Sequence, residues 1–137
     1  MQSAYDDVFS ALSDHTFTIP GVSVREPFDE SAKTYPLMVV HEIVNKPITH
    51  GTETGEIETL LSYQIDIHTQ NCLDEDDTAL TRWAAGHLLV GEVSDLLDTT
   101  FKITRRTVRK EAVAADVLVH FWRGDCVLDA SGYSYRP

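Results

Sequence analysis

The sequence predicts an α+β domain, in which two helices flank a mostly antiparallel or mixed sheet that carries a long projecting β-hairpin. Two segments place apolar residues at helical spacing, and one long segment alternates between apolar and polar residues as a half-buried strand does. The predicted strands follow one another through short links, which favours antiparallel or mixed pairing with helices on one face. No linker divides the chain, so we expect one domain over residues 1–137.

The first predicted element is a short helix over residues 2–13. Its apolar side chains recur at intervals of three and four residues, which places them on one face: Tyr5, Val8, Phe9 and Leu12. Ser3 is a suitable N-cap, with Asp6 as a weak capping-box partner. Pro20-Gly21 then predicts a turn, followed by a short strand over 22–25 and a polar loop over 26–34.

The next two predicted strands form a hairpin. Residues 37–44 are apolar on both faces, which is typical of a strand inside a covered sheet. Residues 57–69 alternate with one wet face and exceed the usual strand length of about 5–6 residues. A strand this long often extends past the core, so we expect it to pair with residues 37–45 and to leave 46–55 as the hairpin tip.

The second helix is predicted over residues 75–97, because the acidic run Asp74–Asp77 suits the positive end of a helix dipole. Its predicted apolar stripe comprises Leu80, Trp83, Ala84, His87, Leu88 and Gly91. Trp83 is therefore predicted to belong to the core. Segments 101–110 and 115–122 are predicted as closing strands, and Trp122, near the end of the chain, is expected to be more exposed.

The composition excludes several classes of protein. With 42% hydrophobic residues, the chain is too apolar for intrinsic disorder. Its formal net charge of −11 argues against a surface that wraps DNA or binds an anionic membrane, because both need positive potential. The sequence shows no signal peptide and no membrane span, so we expect synthesis and use in the cytoplasm. The two cysteines are expected to be reduced thiols.

Motifs of the common catalytic families are absent from the sequence, including a phosphate-binding loop and a nucleophile elbow. No two histidines lie four residues apart on a helix, and the acidic run lacks the glycine of an EF-hand loop. We therefore expect no enzyme activity, no metal and no cofactor. The best candidates for an alternative site are His41, Asp66 and His68, on strands predicted to be neighbours.

The most informative charged feature is a basic segment over residues 102–110. It contains Lys102, Arg105, Arg106, Arg109 and Lys110. The preferred interpretation is a subunit interface in a head-to-tail ring, where each copy presents different patches to its two neighbours. The candidate acidic patches contain Asp74, Asp76, Asp77, Glu53 and Glu56. Contact with nucleic acid, or a solvated strand face without a special role, are the alternatives.

Taken together, these elements resemble the tail terminator and tail completion proteins of long-tailed phages, the small neck proteins of siphophages. The resemblance rests on the helix Tyr5–Leu12, the segment Tyr35–Ile43 leading to Asn45, and the alternating strand Leu61–Thr69. It implies six copies in a ring at the head-proximal end of the tail tube, which ends tube growth and offers a surface to the head-tail connector or stopper protein. It implies no catalysis, and nucleic acid only as DNA passing through the ring.

Two other functions remain open at this point. One is a small dimeric α+β enzyme or ligand-binding domain, which requires a pocket around His41, Asp66 and His68. The other is a nucleic-acid-binding module, which requires binding that weakens steeply with salt. The ring protein instead requires a homo-oligomer located in the tail or neck of the virion.

Overall fold

The computed structural model describes residues 4–49, 57–100, 103–112 and 116–128. The helices and strands are α1 (Ala4–Ser13), β1 (Ser23–Arg25), β2 (Leu37–Thr49), β3 (Ile57–Thr69), β4 (Cys72–Leu73), β5 (Ala79–Leu80), α2 (Arg82–Thr100), β6 (Ile103–Ala112) and β7 (Leu118–Leu128). A mixed five-stranded sheet, a small two-stranded sheet and two helices confirm the predicted α+β class.

The five-stranded sheet has the order β1-β2-β3-β7-β6. β1 is parallel to β2, and every other neighbouring pair in this sheet is antiparallel. β1 and β6 therefore lie at opposite edges and run in opposite directions. β1 is short and pairs only with Leu37–Val39, so β2 has no strand neighbour on its outer side beyond Val39 among the described residues.

The predicted hairpin of β2 and β3 is confirmed, with pairs from Leu37 and His68 to Thr49 and Ile57. The prediction that the hairpin tip begins at residue 46 is wrong, because β2 continues through Pro47 to Thr49. Proline lacks a backbone donor, but an edge strand tolerates this on its outer side. β3 also pairs with β7 from Thr59 to Thr69, so a third strand accompanies the hairpin. Residues 50–56 of the predicted tip lie outside the described residues.

The core lies between the helices and one face of the sheet. It contains Val8, Leu12, Phe17, Ile19, Met38, Val40, Tyr63, Ile65, Ile67, Ala85, Leu89, Val93, Leu97 and Trp122. The expected exposure of Trp122 is wrong: its side chain is fully buried and its Nε1 donates to Ser94 Oγ at 2.9 Å. Trp122 lies in the middle of β7, paired with Ile65 on one side and Val108 on the other, because this strand runs on to Leu128.

The predicted start of the second helix is also wrong. α2 begins at Arg82, and the acidic run forms the turn between β4 and β5 instead. Asp74 Oδ1 accepts hydrogen bonds from the backbone N–H groups of Asp76 and Thr78, at 2.8 and 2.9 Å. An aspartate that bonds to the backbone ahead of it favours a turn over a helix. Thr81 caps α2, because its Oγ1 accepts from Ala84 N at 3.1 Å.

The buried face of α2 differs from the predicted stripe. The buried apolar side chains are Ala85, Leu89, Val93 and Leu97, whereas Trp83 is 52% exposed. The prediction of Trp83 as a core residue is therefore wrong. Small residues explain the difference, because Gly86 packs directly against the ring of His120 and lets the helix approach the sheet closely. The bulky residues of the predicted stripe then lie on the flank of the helix.

Candidate functional site

The sheet face opposite the helices is polar in its middle part and apolar at one end, where Leu37 and Val119 are buried on either side of His68. Side chains alternate between the two faces along a strand, so the neighbours of the core residues Ile65 and Trp122 point away from the helices. We call this surface the open face; its partly exposed members include His41, Gln64, Asp66, His68 and Phe121. The polar members of this face are partly exposed, so solvent or another molecule can reach them.

Asp66 is the centre of a small polar cluster on the open face. Its Oδ2 lies 3.1 Å from His41 Nε2, and its Oδ1 accepts a hydrogen bond from Gln64 Nε2 at 2.8 Å. His68 is two residues along the same strand. Burial lowers the pKa of His68, as do the positive charges of Lys33 and His41, while Asp66 opposes this shift. His68 is therefore held toward the neutral form beside an imidazole and a carboxylate.

The three residues predicted for an alternative site thus lie together. Grooves of about 380 to 410 Å³ in the described part of the chain, lined around Cys72, Phe28 and Arg82, do not include His41, Asp66 or His68. Within the described ranges, no group of three or more potential ligands could hold a metal ion. The side chains of this cluster are of types that can exchange protons. Both carboxylate oxygens of Asp66, however, already have hydrogen-bond partners within the chain.

The basic segment forms the edge strand β6. Its outer part, residues 107–112, is exposed, and β6 pairs with β7 on its inner side alone among the described strands. Arg109 lies over the Phe121 ring at 4.5 Å and 3.5 Å from Glu111, on the open face. Lys110 points to the helix side, where its ammonium group lies 3.7 Å from the centre of the Trp83 ring. β6 therefore places exposed cations on both faces of the sheet.

Arg105 and Arg106 also belong to β6, where they pair with Asp125 and Gly124 of β7. Lys102 lies outside the described residues, as do Glu53 and Glu56 of the predicted acidic patch. The other acidic candidates, Asp74, Asp76 and Asp77, lie in the turn between β4 and β5, with Asp76 and Asp77 exposed. Within the described parts of one copy, no ion pair joins this turn to β6. The two predicted patches are therefore separate surface features.

One exposed aromatic residue was not identified from the sequence. Phe28 is 99% exposed in the loop after β1, within a segment that the sequence indicates only as polar. Asp29 N donates to Glu26 O at 3.3 Å, and Phe28 has a φ of 67°. A proline followed by a residue with positive φ describes a type II turn, which favours glycine at the position that Phe28 occupies. A phenylalanine directly after Pro27 in an acidic loop is the signal that could have revealed it.

Comparison with protein-family models finds no match for this chain, and no curated protein is significantly similar to it in sequence. The resemblance to phage tail terminator proteins therefore stays a prediction. In the described part of the chain, neither helix combines the length and the apolar character that crossing a membrane requires.

Proposed function

We propose that this protein is a structural subunit that assembles with copies of itself into a ring, in the neck of a long-tailed phage. The observation that supports this best is the pair of unlike sheet edges. One edge is the short strand β1, and the other is the basic strand β6. Unlike edges on one sheet suit a head-to-tail contact, in which each copy offers a different patch to each neighbour.

Strand directions agree with such a contact. β1 and β6 run in opposite directions, so a rotation that preserves strand direction brings β6 of one copy antiparallel to β1 of the next. The symmetric alternative pairs β6 with itself across a twofold axis. That arrangement sets one basic strand, residues 105–110, against another, and like charges opposed on paired strands are destabilising. The charge on β6 thus favours a ring over a symmetric dimer.

In the phage particle, the proposed ring stands on the last ring of the tail tube. It ends polymerisation of the tail tube protein and presents its other surface to the head-tail connector or stopper protein. Six copies are expected from the resemblance, and DNA passes through the ring without being recognised by it. The proposed location is the virion, after assembly in the host cytoplasm, and no catalysis is involved.

The first experiment is the mass of the purified protein by light scattering, over a wide range of protein and salt concentrations. A discrete hexamer, or a monomer that converts to one as concentration rises, supports the proposal. Electron microscopy then asks whether the protein caps the ends of tail tubes assembled from the matching tube protein. A chain that stays monomeric at each concentration and leaves tube ends bare contradicts the proposal. A stable dimer that never grows contradicts it as well.

A ligand-binding domain is the second candidate, favoured by the contact between His41 and Asp66 on the open face. This function predicts a stable dimer and a ligand whose binding shifts the nuclear magnetic resonance signals of His41 and His68. In a His68→Ala variant, the ligand should no longer shift the His41 signal, although the protein still folds. If a library of small metabolites leaves both histidine signals unchanged, this candidate is excluded in favour of the structural subunit.

A further inference from the structure

We propose that the acidic loop around Phe28 in one copy docks against the flank of α2 and β6 in the next copy. The loop is residues 26–30, and the receiving surface, which we call the basic shoulder, consists of Trp83, Val108 and Lys110. This inference rests on the proposed self-assembly and assigns the residues that form its interface. The partner is a second copy of this chain.

Contacts within its own chain do not explain the exposure and the backbone conformation of Phe28. Its side chain is 99% exposed, and its φ of 67° is a conformation that side chains other than glycine and asparagine rarely adopt. Such strain persists where the surroundings impose it and often marks a functional position. Phe28 gains almost no burial inside its own chain, and burial against another molecule would offset this strain. Exposed aromatic residues are the usual anchors of protein interfaces.

The loop that carries Phe28 is held in place before any partner binds. Arg25 donates through Nη1 to Ser31 O at 2.9 Å, and Ser31 N donates to Asp29 Oδ1 at 2.8 Å. A further hydrogen bond of 2.6 Å joins the hydroxyl groups of Ser23 and Thr34 at the base of the loop. A preorganised loop loses little conformational entropy on binding, so an anchor on it is efficient.

The loop is also acidic where it is exposed. Glu26, Asp29 and Glu30 are exposed around Phe28, and residues 26–30 contain no cation. Of the two cations that flank this segment, Arg25 bonds to the loop backbone and helps to lower the pKa of Asp29, and Lys33 lies close enough to His68 to affect its pKa. The loop therefore presents an aromatic ring surrounded by carboxylates.

The basic shoulder has the complementary composition. Trp83 is 52% exposed and Val108 is 45% exposed, although both are large apolar side chains. Val108 and Lys110 point to the same side of β6, and the Lys110 ammonium lies over the Trp83 ring. An exposed aromatic and aliphatic surface that carries a cation fits an aromatic anchor flanked by carboxylates.

The positions of the two surfaces favour a second copy as the partner. The loop follows β1 directly, so it lies at the sheet edge opposite β6. Two complementary surfaces at opposite edges join successive copies and cannot satisfy each other within one copy. The whole chain has a net charge of −11, so β6 is the main basic surface that one copy can offer to the acidic loop of another. The same contact explains both the exposed Phe28 and the exposed apolar surface beside Lys110.

Charge reversal with compensation tests the contact. Lys110→Glu should weaken self-association, and Glu26→Lys with Glu30→Lys should weaken it similarly. A mixture of the two variants should associate through the restored contact, whereas each variant alone should not.

Phe28→Gly should raise the dissociation constant of self-association about 30-fold, as expected for loss of an aromatic anchor. The monomer should fold normally, because glycine accepts positive φ.

Crosslinking provides the second measurement, in a background with Cys72→Ser and Cys126→Ser. Phe28→Cys and Val108→Cys proteins are prepared separately and then mixed under oxidising conditions. The proposal predicts a disulfide between the two variants in the mixture, and no dimer of the Val108→Cys variant alone. A Val108→Cys dimer would show a symmetric β6 contact and overturn the proposal. If every variant still forms an oligomer of the same size as the wild-type protein, this contact is overturned but the proposed ring function stands.

Discussion

His120 is a buried histidine without hydrogen-bond partners. Its side chain is 1% exposed, and neither ring nitrogen has a partner within the described structure. The ring packs on Gly86 and meets the His87 ring edge-on, with centroids 5.4 Å apart. Burial lowers the pKa of His120 to about 4, and the nearby charges of His87 and Lys110 act in the same direction. His120 is therefore neutral in the folded protein at physiological pH.

This neutral histidine should make stability depend on pH. An unfolded chain protonates His120 near its ordinary pKa of 6.5, whereas the folded chain resists protonation until about 4. The stability that neutral His120 confers is thus complete above about pH 6.5 and declines as the pH falls through this window. We expect a loss of about 2 kcal/mol in the free energy of unfolding between about pH 7.5 and 5.

Urea denaturation at the two pH values measures this loss. His120→Phe keeps a planar ring against Gly86 but cannot take up a proton, so it serves as the matched variant. The change in unfolding free energy between the two pH values should be smaller in His120→Phe by about the amount given above. Equal changes in both proteins would show that His120 does not resist protonation in the fold.

Two glycines in α2 make a matched pair. A methyl group at Gly86 would collide with the His120 ring, whereas one at Gly91 would meet no atom within 4 Å. We expect Gly86→Ala to destabilise the protein by about 1–3 kcal/mol through overpacking. Gly91→Ala should stabilise it by about 0.5–1 kcal/mol, because alanine favours an exposed helix interior. Thermal unfolding of both variants measures the opposite signs, and a common sign would contradict the close packing of α2 on β7.

At the scale of elements, the start of α2 distinguishes the structure from the sequence-based prediction. Thr81→Ala removes the hydroxyl that caps the helix and should reduce the free energy of unfolding by about 1 kcal/mol. Glu75→Ala changes a residue that the sequence assigned to the first turn of the helix but that lies in the β4–β5 turn. It should have an effect below about 0.5 kcal/mol. Denaturant titration compares the two, and a larger loss for Glu75→Ala would favour the earlier helix start.

The contrast between β3 and α2 shows how much of the fold could be predicted. Alternation over residues 57–69, broken only at Leu60, predicted β3 with the bounds that the structure has, because one wet face and one dry face leave a single phase for the strand. In α2, apolar residues occur on more than one side, so spacing alone did not select the buried face. The decisive interaction, Gly86 against His120, joins α2 to a distant strand and has no signature in local spacing.

The candidate site was predicted in part for a similar reason. The basic segment on β6 and the neighbourhood of His41 and Asp66 could be predicted from strand order and charge. Phe28 could not, because its importance lies in exposure and in a positive φ, and both depend on how the loop closes. The acidic turn was misassigned because the same aspartates suit both a helix start and an Asx-type turn.

At the scale of the whole molecule, the two tryptophans report on different regions. Trp122 is fully buried, whereas Trp83 is half-exposed on the basic shoulder. If copies associate through this shoulder, Trp83 should become buried on assembly. In a Trp122→Phe variant, we therefore expect the emission to shift to shorter wavelength and iodide quenching to decrease as protein concentration rises. The Trp83→Phe variant, which retains Trp122, should show neither change. An unchanged Trp83 signal during assembly would place the interface elsewhere.

The irregularity in β2 between Glu42 and Val44 divides the hairpin into an inner and an outer part. At this point β2 contains one residue more than β3, and regular pairing resumes on both sides. A bulge absorbs a single-residue difference in length between paired strands. Insertions or deletions in the outer part of the hairpin should therefore leave the pairs between Leu37 and Glu42 in phase. The length of the hairpin and the pairing of its base with the sheet are thus determined by different parts of one continuous strand.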